Sequence, residues 1–239
     1  MSRSVQFAQK GASAMSHPTT RRAVLVSLAG MALVSRPGSA FAEPALADEK
    51  GWKPLFDGKS LGDWKRTEFA GGGDVKFEKS FRGGPAIVVE AGEHLSGFNW
   101  TKDAPRTNFE IYLEAMKIQG NDFMCALTFP VGEKHATLVL GGWGGGTTGI
   151  SSIDNSDASE NATSRILEYP KDRWFKVRMR VTPEKLEAWL DDKQIVDTEI
   201  KGKKIDLRHG AIDLSVPIGI CTYQTSAAYR NIKLRTLKA

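Results

Sequence analysis

The strongest periodicity in the chain lies at residues 109–116, FEIYLEAM. Apolar side chains occupy every second position, which places Phe109, Ile111, Leu113 and Ala115 on one face and Glu110, Tyr112, Glu114 and Met116 on the other. A period of two is typical of a half-buried β-strand, because successive side chains of a strand point to opposite faces. The stretch therefore predicts a strand that turns its odd-numbered residues toward an apolar core.

A second strand of the same kind is predicted at residues 175–181, FKVRMRV, and its polar face carries Lys176, Arg178 and Arg180. Antiparallel pairing with the first strand would bring these basic side chains opposite the acidic ones. Charges in this pattern are typical of a solvated sheet surface. If the face is concave, however, a binding groove would contain the polar side chains of the first strand, Glu110, Tyr112 and Glu114.

The rest of residues 52–239 consists of short apolar or alternating runs separated by Gly, Pro, Asn and Asp, without a long amphipathic helix. Leu186–Leu190 and Gln194–Ile200 flank Asp191-Asp192-Lys193, a sequence typical of a hairpin turn. The whole pattern predicts about ten strands in an all-β fold of two sheets. This length is ample for a single two-sheet core.

The N-terminal region has the composition of a signal peptide. Residues 1–22 carry basic side chains and no acidic one, and the apolar run Ala23–Val34 follows. The run is shorter than the roughly 20 residues that a membrane-spanning helix needs. Ala40-Phe41-Ala42 is a small-residue cleavage site, so the predicted organisation is a signal peptide at 1–42, a linker at 43–51 and one domain at 52–239.

The pair Arg21-Arg22 directly before the apolar run resembles a twin-arginine export signal, and Arg36 after the run is also typical of such signals. Ordinary Sec export is the alternative. Either route predicts a periplasmic or secreted protein without a stable membrane span.

Removal of residues 1–42 takes away five basic side chains and leaves 28 Lys and Arg against 28 Asp and Glu. The basic character of the whole chain therefore comes from the signal, and nucleic acid is excluded as a predicted partner. Cys125 and Cys221 are too few for a disulfide framework. They would form one disulfide in an oxidising compartment or lie apart as two small buried side chains.

Four motifs in order resemble the family of secreted 3-keto-disaccharide hydrolase domains, loosely related to glycoside hydrolase family sixteen. They are Leu55-Phe56-Asp57-Gly58 with Trp64, Asn108–Glu114, Trp174–Arg178 with the hairpin at 186–197, and Pro217–Ile220 with Tyr229–Leu234. The resemblance implies a concanavalin A-like jelly roll of two antiparallel sheets. It also implies a carbohydrate ligand, in some members a 3-keto sugar that a separate oxidoreductase produces.

This chain departs from the family pattern at two places that are rich in polar residues in many members. One reads Thr137–Trp143 here, and the other reads Thr222-Tyr223-Gln224-Thr225-Ser226. Tyr223 and Gln224 are candidate substrate-binding residues, because they occupy the second of these places.

The segment Gly141–Thr163 is a long loop of distinct composition, and such loops are often functional. Its glycines leave Trp143 free to offer a flat face to a sugar ring. Asp157 and Glu160 are the candidate catalytic acid and base, and the candidate substrate-binding residues are Trp143, Asp154, Asn155, Glu110, Tyr112 and Glu114. A mobile solvated loop is the alternative interpretation.

No metal is predicted, although the loop oxygens would also suit Ca²⁺ in a geometry unlike an EF-hand. Two functional hypotheses remain. The first is an exported glycoside hydrolase-like enzyme that acts on 3-keto-glycosides, in which the ketone at C3 acidifies the C2 proton and permits elimination. The second is a non-catalytic lectin-like module, which the departures from the family pattern favour.

Overall fold

The structure is a computed structural model that describes residues 50–238. This part of the chain contains fifteen strands and one short 3₁₀ helix, Ala211–Ser215. The strands are β1 Lys53–Pro54, β2 Trp64–Arg66, β3 Val75–Glu78, β4 Ala86–Val89, β5 Leu95–Trp100, β6 Phe109–Gln119, β7 Cys125–Val131, β8 Lys134–Gly142, β9 Thr147–Ser151, β10 Arg165–Ile166, β11 Trp174–Val181, β12 Lys185–Leu190, β13 Lys193–Glu199, β14 Gly219–Tyr223 and β15 Ser226–Thr236.

The strands form two sheets. One has eight strands in the order β13-β12-β11-β6-β15-β4-β3, with β1 added beside β15, and the other has seven in the order β10-β9-β8-β7-β14-β5-β2. Their named pairings are antiparallel. The predicted all-β sandwich is confirmed. The predicted domain boundary at residue 42 and the export segment lie outside the described residues. Within residues 50–238, no helix has the length and apolar character needed to cross a membrane.

The core lies between the two sheets and follows the alternation read from the sequence. Ile111 and Leu113 of β6 are fully buried, as are Leu127 of β7 and Leu138 of β8. Tyr229 is the one core phenol of β15, and its hydroxyl donates to the Met124 carbonyl at 2.5 Å. A buried hydroxyl needs such an acceptor, because leaving it unpaired costs about 1–3 kcal/mol.

The opening Leu-Phe-Asp-Gly motif attaches the start of the domain to its last strand. The backbone amides of Leu55 and Phe56 both donate to the Ile232 carbonyl, and the Trp64 indole donates to the Leu55 carbonyl at 2.8 Å. Asp57 accepts from the Lys59 amide, which closes the turn. The motif is therefore a structural device, and it explains why a distinctive sequence stands far from any cleft.

The predicted pairing of the acidic and basic strands is confirmed, with Glu110 opposite Arg180 and Glu114 opposite Lys176. The expectation that these charges are solvated is wrong for Glu110, which has no exposed surface. Its carboxylate accepts from Arg180 at 2.7 Å and from Arg235 at 2.6 Å. The guanidinium groups come from strands on both sides of β6 and cover the carboxylate.

The two cysteines are free and buried. Cys221 lies opposite Ala126 in the β14–β7 register, so its side chain shares a face with Ala126. Cys125 is the neighbour of Ala126 on β7 and points the other way, into the core. The sheet separates the two thiols, which confirms two small buried side chains rather than a disulfide. Burial raises the pKa of the Cys221 thiol to about 12.

Replacement of Glu110 by Gln is expected to lower the free energy of unfolding by about 3 kcal/mol, because it removes the countercharge of several partly buried guanidinium groups. Urea unfolding of the two proteins measures this difference. Glu90→Gln is the matched control, since Glu90 pairs with Lys76 at a half-exposed site and should cost less than about 1 kcal/mol. Equal losses in the two variants would contradict the structural role of Glu110.

Candidate functional site

A cleft of about 440 Å³ opens on the outer face of the seven-stranded sheet. Pockets of roughly 300–1,000 Å³ hold small ligands in proteins, so its size suits one or two sugar rings. The floor is made of side chains from β7, β8 and β9, and the walls come from three loops and from the strand-end residues Leu95 and Tyr223. The lining residues are Leu95, Asp122, Phe123, Ala126, Thr137, Val139, Trp143, Ser151, Tyr223 and residues 208–212.

Small side chains keep the floor of the cleft open. Ala126 pairs with Val139 across β7 and β8, and both line the cleft. Beside them Thr128 and Thr137 share a hydrogen bond of 3.0 Å between their hydroxyl groups. The sheet therefore offers a shallow bed with apolar and hydroxyl character.

Trp143 stands at the edge of the cleft in the tight connection between β8 and β9. Its backbone has a φ of 50°, and Gly144 and Gly145 that follow also have positive φ. The Asp122 carboxylate accepts from the Gly144 amide at 3.0 Å and from the Phe123 amide at 2.8 Å, which secures the turn. The indole is 44% exposed and is free to stack against a sugar.

Asp157 lies behind the cleft and is joined to it by two side chains. It accepts from the Ser151 hydroxyl at 2.8 Å and pairs with the Arg208 guanidinium at 3.3 Å. Arg208 in turn lies over the Trp143 ring at 5.6 Å. The structure thus brings the predicted catalytic residue Asp157 and the predicted platform Trp143 to one site, with Arg208 between them.

The sequence reasoning missed three polar side chains of the cleft: Asp122, Arg208 and His209. The segment 208–210 breaks the strand pattern with a charged residue, a histidine and a glycine, and this was the available signal. Tyr223 was predicted and does line the cleft, where it contacts Phe123 and stacks on His94 with ring centroids 5.9 and 6.0 Å away.

The loop that follows β9 is held by its own hydrogen bonds, which argues against the interpretation of a mobile loop. The Asn161 side-chain amide donates to the carbonyls of Ile150, Ser156 and Asp157 at 2.7–3.0 Å. Its oxygen accepts from Thr163. Asn161 therefore shapes the loop and positions Asp157.

The remaining loop residues lie outside the cleft. Asp154 accepts from the Lys204 amide at 2.9 Å, and Asn155 accepts from the Lys204 ammonium at 2.8 Å. Glu160 is exposed in the following turn and does not line the cleft. Gln224 points away from Tyr223 and donates to the Glu93 carbonyl at 2.8 Å. The predicted pairing of Asp157 with Glu160 as acid and base thus has no geometric support.

The predicted substrate-binding residues of β6 lie on the outer face of the other sheet, away from the cleft. Glu110 is enclosed by arginines, and Glu114 accepts from Arg230 at 2.6 Å and Asn231 at 2.7 Å. The Tyr112 hydroxyl donates to Glu114. Burial and the Glu114 charge raise the pKa of Tyr112 above its usual range. These contacts correct the expectation of a groove on this face, because the carboxylates are already paired.

Among residues 50–238, no group of three His, Cys, Asp or Glu side chains lies close enough to hold a metal ion. The loop oxygens considered for Ca²⁺ instead hold Lys204, Ser151 and Arg208.

An all-β sandwich with a cleft of this size, bordered by a tryptophan and by hydroxyl side chains, defines a carbohydrate-active sandwich domain. Residues 51–235 match the family of 3-keto-alpha-glucoside-1,2-lyase-like domains, and the chain belongs to that family. The resemblance inferred from the four sequence motifs is confirmed.

Solved structures share the fold at low sequence identity. The apo Crh5 transglycosylase is 7% identical with a TM-score of 0.52, and the match covers 79% of this chain and 84% of that one. The potassium-bound carbohydrate recognition domain of Emp46p is 14% identical with a TM-score of 0.50, over 75% and 91%. A carbohydrate-binding module from Bacillus subtilis is 9% identical with a TM-score of 0.47, over 73% and 96%. No curated protein matches the chain.

Trp143→Ala is expected to weaken the binding of maltose and 3-keto-trehalose at least tenfold, because the ring loses its stacking partner; tenfold is about 1.4 kcal/mol. Isothermal titration measures both affinities, and Trp143→Phe should retain most of the binding. Leu214→Ala is the control, since Leu214 is half exposed and does not line the cleft. Unchanged affinity in Trp143→Ala would remove the indole from the site.

Proposed function

We propose that the protein cleaves 3-keto-α-glucosides by elimination across the C1–C2 bond in the Trp143 cleft. The observation that carries the proposal is the convergence of His209, Arg208 and Trp143 on one cleft of a chain in the 1,2-lyase-like family. His209 supplies an imidazole, a side chain that commonly serves as a general base in enzymes. Arg208 supplies a fixed positive charge beside it.

The chemistry requires one base and one site for negative charge. The ketone at C3 acidifies the C2 proton, and a base removes it to give an enolate with its charge on the C3 oxygen. The electron pair then forms the C1–C2 double bond while the C1–O bond breaks, and the leaving oxygen takes a proton from water. Addition of water to the resulting 2-hydroxy-3-keto-glucal yields 3-keto-glucose.

The cleft offers a side chain for each of these needs. His209 is the proposed base for the C2 proton, and Arg208 is the proposed partner of the C3 oxygen as charge develops there. Asp157 positions Arg208 through their ion pair of 3.3 Å. Trp143 is the proposed platform for the sugar ring. In an α-glucoside the C2–H and C1–O bonds are both axial and point to opposite faces of that ring.

An ordinary glycosidase mechanism fits the site less well. It needs two carboxyl groups about 5–9.5 Å apart on either side of the scissile bond. Of the described residues that line the cleft, Asp122 is the one with a carboxyl group, and that group already holds the Trp143 turn. Elimination does not need a second carboxylate.

The purified protein is expected to release sugar from 3-keto-trehalose and not from trehalose. A reaction in D₂O should place deuterium at C2 of the 3-keto-glucose product, because C2 is reprotonated from solvent, and an enone absorbance should rise transiently.

His209→Asn is expected to lower kcat at least 100-fold. His135→Asn is the matched control, since His135 lies in a different pocket beside Arg106, and it should retain activity.

Two results would reject this mechanism. Release of sugar without deuterium at C2 would indicate direct hydrolysis. The second result is that the protein does not turn over the substrate but still binds sugar, and that this binding depends on Trp143. That result would establish the lectin-like module as the function. The exposed indole suits either role, so turnover separates the enzyme from the lectin-like module, and C2 exchange separates elimination from direct hydrolysis.

We further propose that the protein is exported and receives its substrate from a separate oxidoreductase that oxidises C3 of glucosides. The support is the sequence Arg21-Arg22 with the apolar run and the site Ala40-Phe41-Ala42. The lyase chemistry also requires a ketone that ordinary sugars lack.

Expression of the full chain in a bacterial host is expected to yield a periplasmic or secreted protein that begins at Glu43. N-terminal sequencing or intact mass identifies the first residue. Arg21→Lys together with Arg22→Lys should block export through the twin-arginine route and leave precursor in the cells. Unchanged export of that variant would indicate the Sec route, and an uncleaved exported chain would contradict the signal peptide.

A further inference from the structure

A second pocket of about 460 Å³ lies beside the Trp143 cleft, on the other side of the glycine-rich turn. Trp143 borders the cleft, and the next three residues, Gly144 to Gly146, border this pocket. Likewise, Asp122 lines the Trp143 cleft and its neighbour Asn121 lines the second pocket. A single turn of backbone therefore separates the two spaces.

The pocket contains the ammonium group of Lys117. Lys117 lies near the end of β6, on the same face of the strand as Phe109 and the other odd-numbered residues. Its side chain therefore points inward, between the two sheets. The residue is 5% exposed. A Cβ atom placed on Gly145 would lie 3.9 Å from Lys117 Nζ, which locates the ammonium at the glycine wall.

The Lys117 side chain is largely buried, and its ammonium reaches the surface at this pocket without a bonded partner. Within residues 50–238, no hydrogen bond or ion pair to its ammonium is present, whereas most other buried charges of the protein are paired. Burial lowers the pKa of Lys117, the Asp122 carboxylate raises it and Lys171 lowers it further. An ammonium that is partly desolvated and unpaired at a pocket wall favours an anion there, because a charge-assisted hydrogen bond would replace the water it has lost.

The walls of the pocket combine bare backbone, an apolar rim and one acidic side chain. A Cβ atom on Gly145 would lie 2.7 Å from the Asn121 carbonyl, so glycine is required there and the wall carries no side chain. Ile166, which is 77% exposed, forms an apolar rim. Glu168 is the one acidic side chain among the described lining residues, and it is exposed to solvent.

We propose that the Lys117 pocket binds a carboxylate or phosphate group carried by the sugar that occupies the Trp143 cleft. The preferred ligands are then acidic glycosides, with the glucosyl ring on the sheet and the anionic group beyond the glycine turn. The inference rests on the proposed function only for the position of the sugar ring. It does not depend on the elimination chemistry.

Equilibrium binding to the mature protein tests the pocket without turnover. The probes are maltose against maltobionate, which adds a carboxylate, and trehalose against trehalose 6-phosphate. Inorganic phosphate alone is the third arm. We expect at least one of the charged disaccharides to bind tenfold or more tightly than its neutral counterpart, and the better one identifies the anion. Inorganic phosphate should bind more weakly than the sugar phosphate.

Lys117→Met is expected to abolish the preference for the charged sugar and to leave the affinity for the neutral sugar unchanged. Lys171→Met removes an exposed charge nearby and is the matched control, which should keep the preference. Lys117→Arg retains the charge and should keep part of the preference, so a folding defect of the Met variant would not hide the answer. The thermal midpoint of Lys117→Met should not fall, because the variant removes a desolvated charge.

Equal affinities for charged and neutral sugars would overturn the proposal, as would a preference that survives Lys117→Met or disappears equally in Lys171→Met. Tight binding of inorganic phosphate alone would overturn the link to the sugar cleft. If 3-keto-glucosides are not cleaved but the preference depends on Lys117, the elimination mechanism fails while the anion pocket stands.

Discussion

The ion pairs of Glu110 hold the centre of the eight-stranded sheet in register. Arg180 reaches the carboxylate from β11 and Arg235 reaches it from β15, so the strands on both sides of β6 are fixed to it. A slip of one residue would turn the carboxylate into the apolar core and expose Ile111. Both the packing of the second sheet and the position of Lys117 at the end of β6 follow from this register.

The two outer faces of the sandwich are consequently used in different ways. The eight-stranded sheet covers its outer face with paired charges and with guanidinium groups over tryptophan rings, such as Arg178 at 3.8 Å from Trp189 and Arg230 at 4.2 Å from Trp174. This face is occupied by its own side chains. The seven-stranded sheet carries alanine, glycine and threonine outward, and the loops rise around it. The Trp143 cleft accordingly lies on that side.

The cleft depends on contacts between loops that are distant in the chain. Asp122 holds the turn that carries Trp143, and Asp157 holds Arg208, which lies over the same ring. The glycines of the Trp143 turn also form the wall of the Lys117 pocket. One short turn thus borders both the Trp143 cleft and the Lys117 pocket, so a change in this turn would alter both spaces.

The period of two at residues 109–116 and 175–181, the turn residues and the four motifs were sufficient to determine the sandwich, the pairing of β6 with β11 and the family, because these depend on local side-chain alternation. Trp143 and Asp157 were also found from the composition of their loop, and Tyr223 was found in a segment that departs from the family pattern. Only the tertiary structure showed which outer face of the sandwich is open to a ligand. Side-chain alternation separates the core face of a strand from its outer face, but it does not show whether the outer face is covered by other side chains. Arg208 and His209 reach the cleft only after the chain returns across the sheet, and Lys117 looks like an ordinary charged strand residue until the sandwich closes over it.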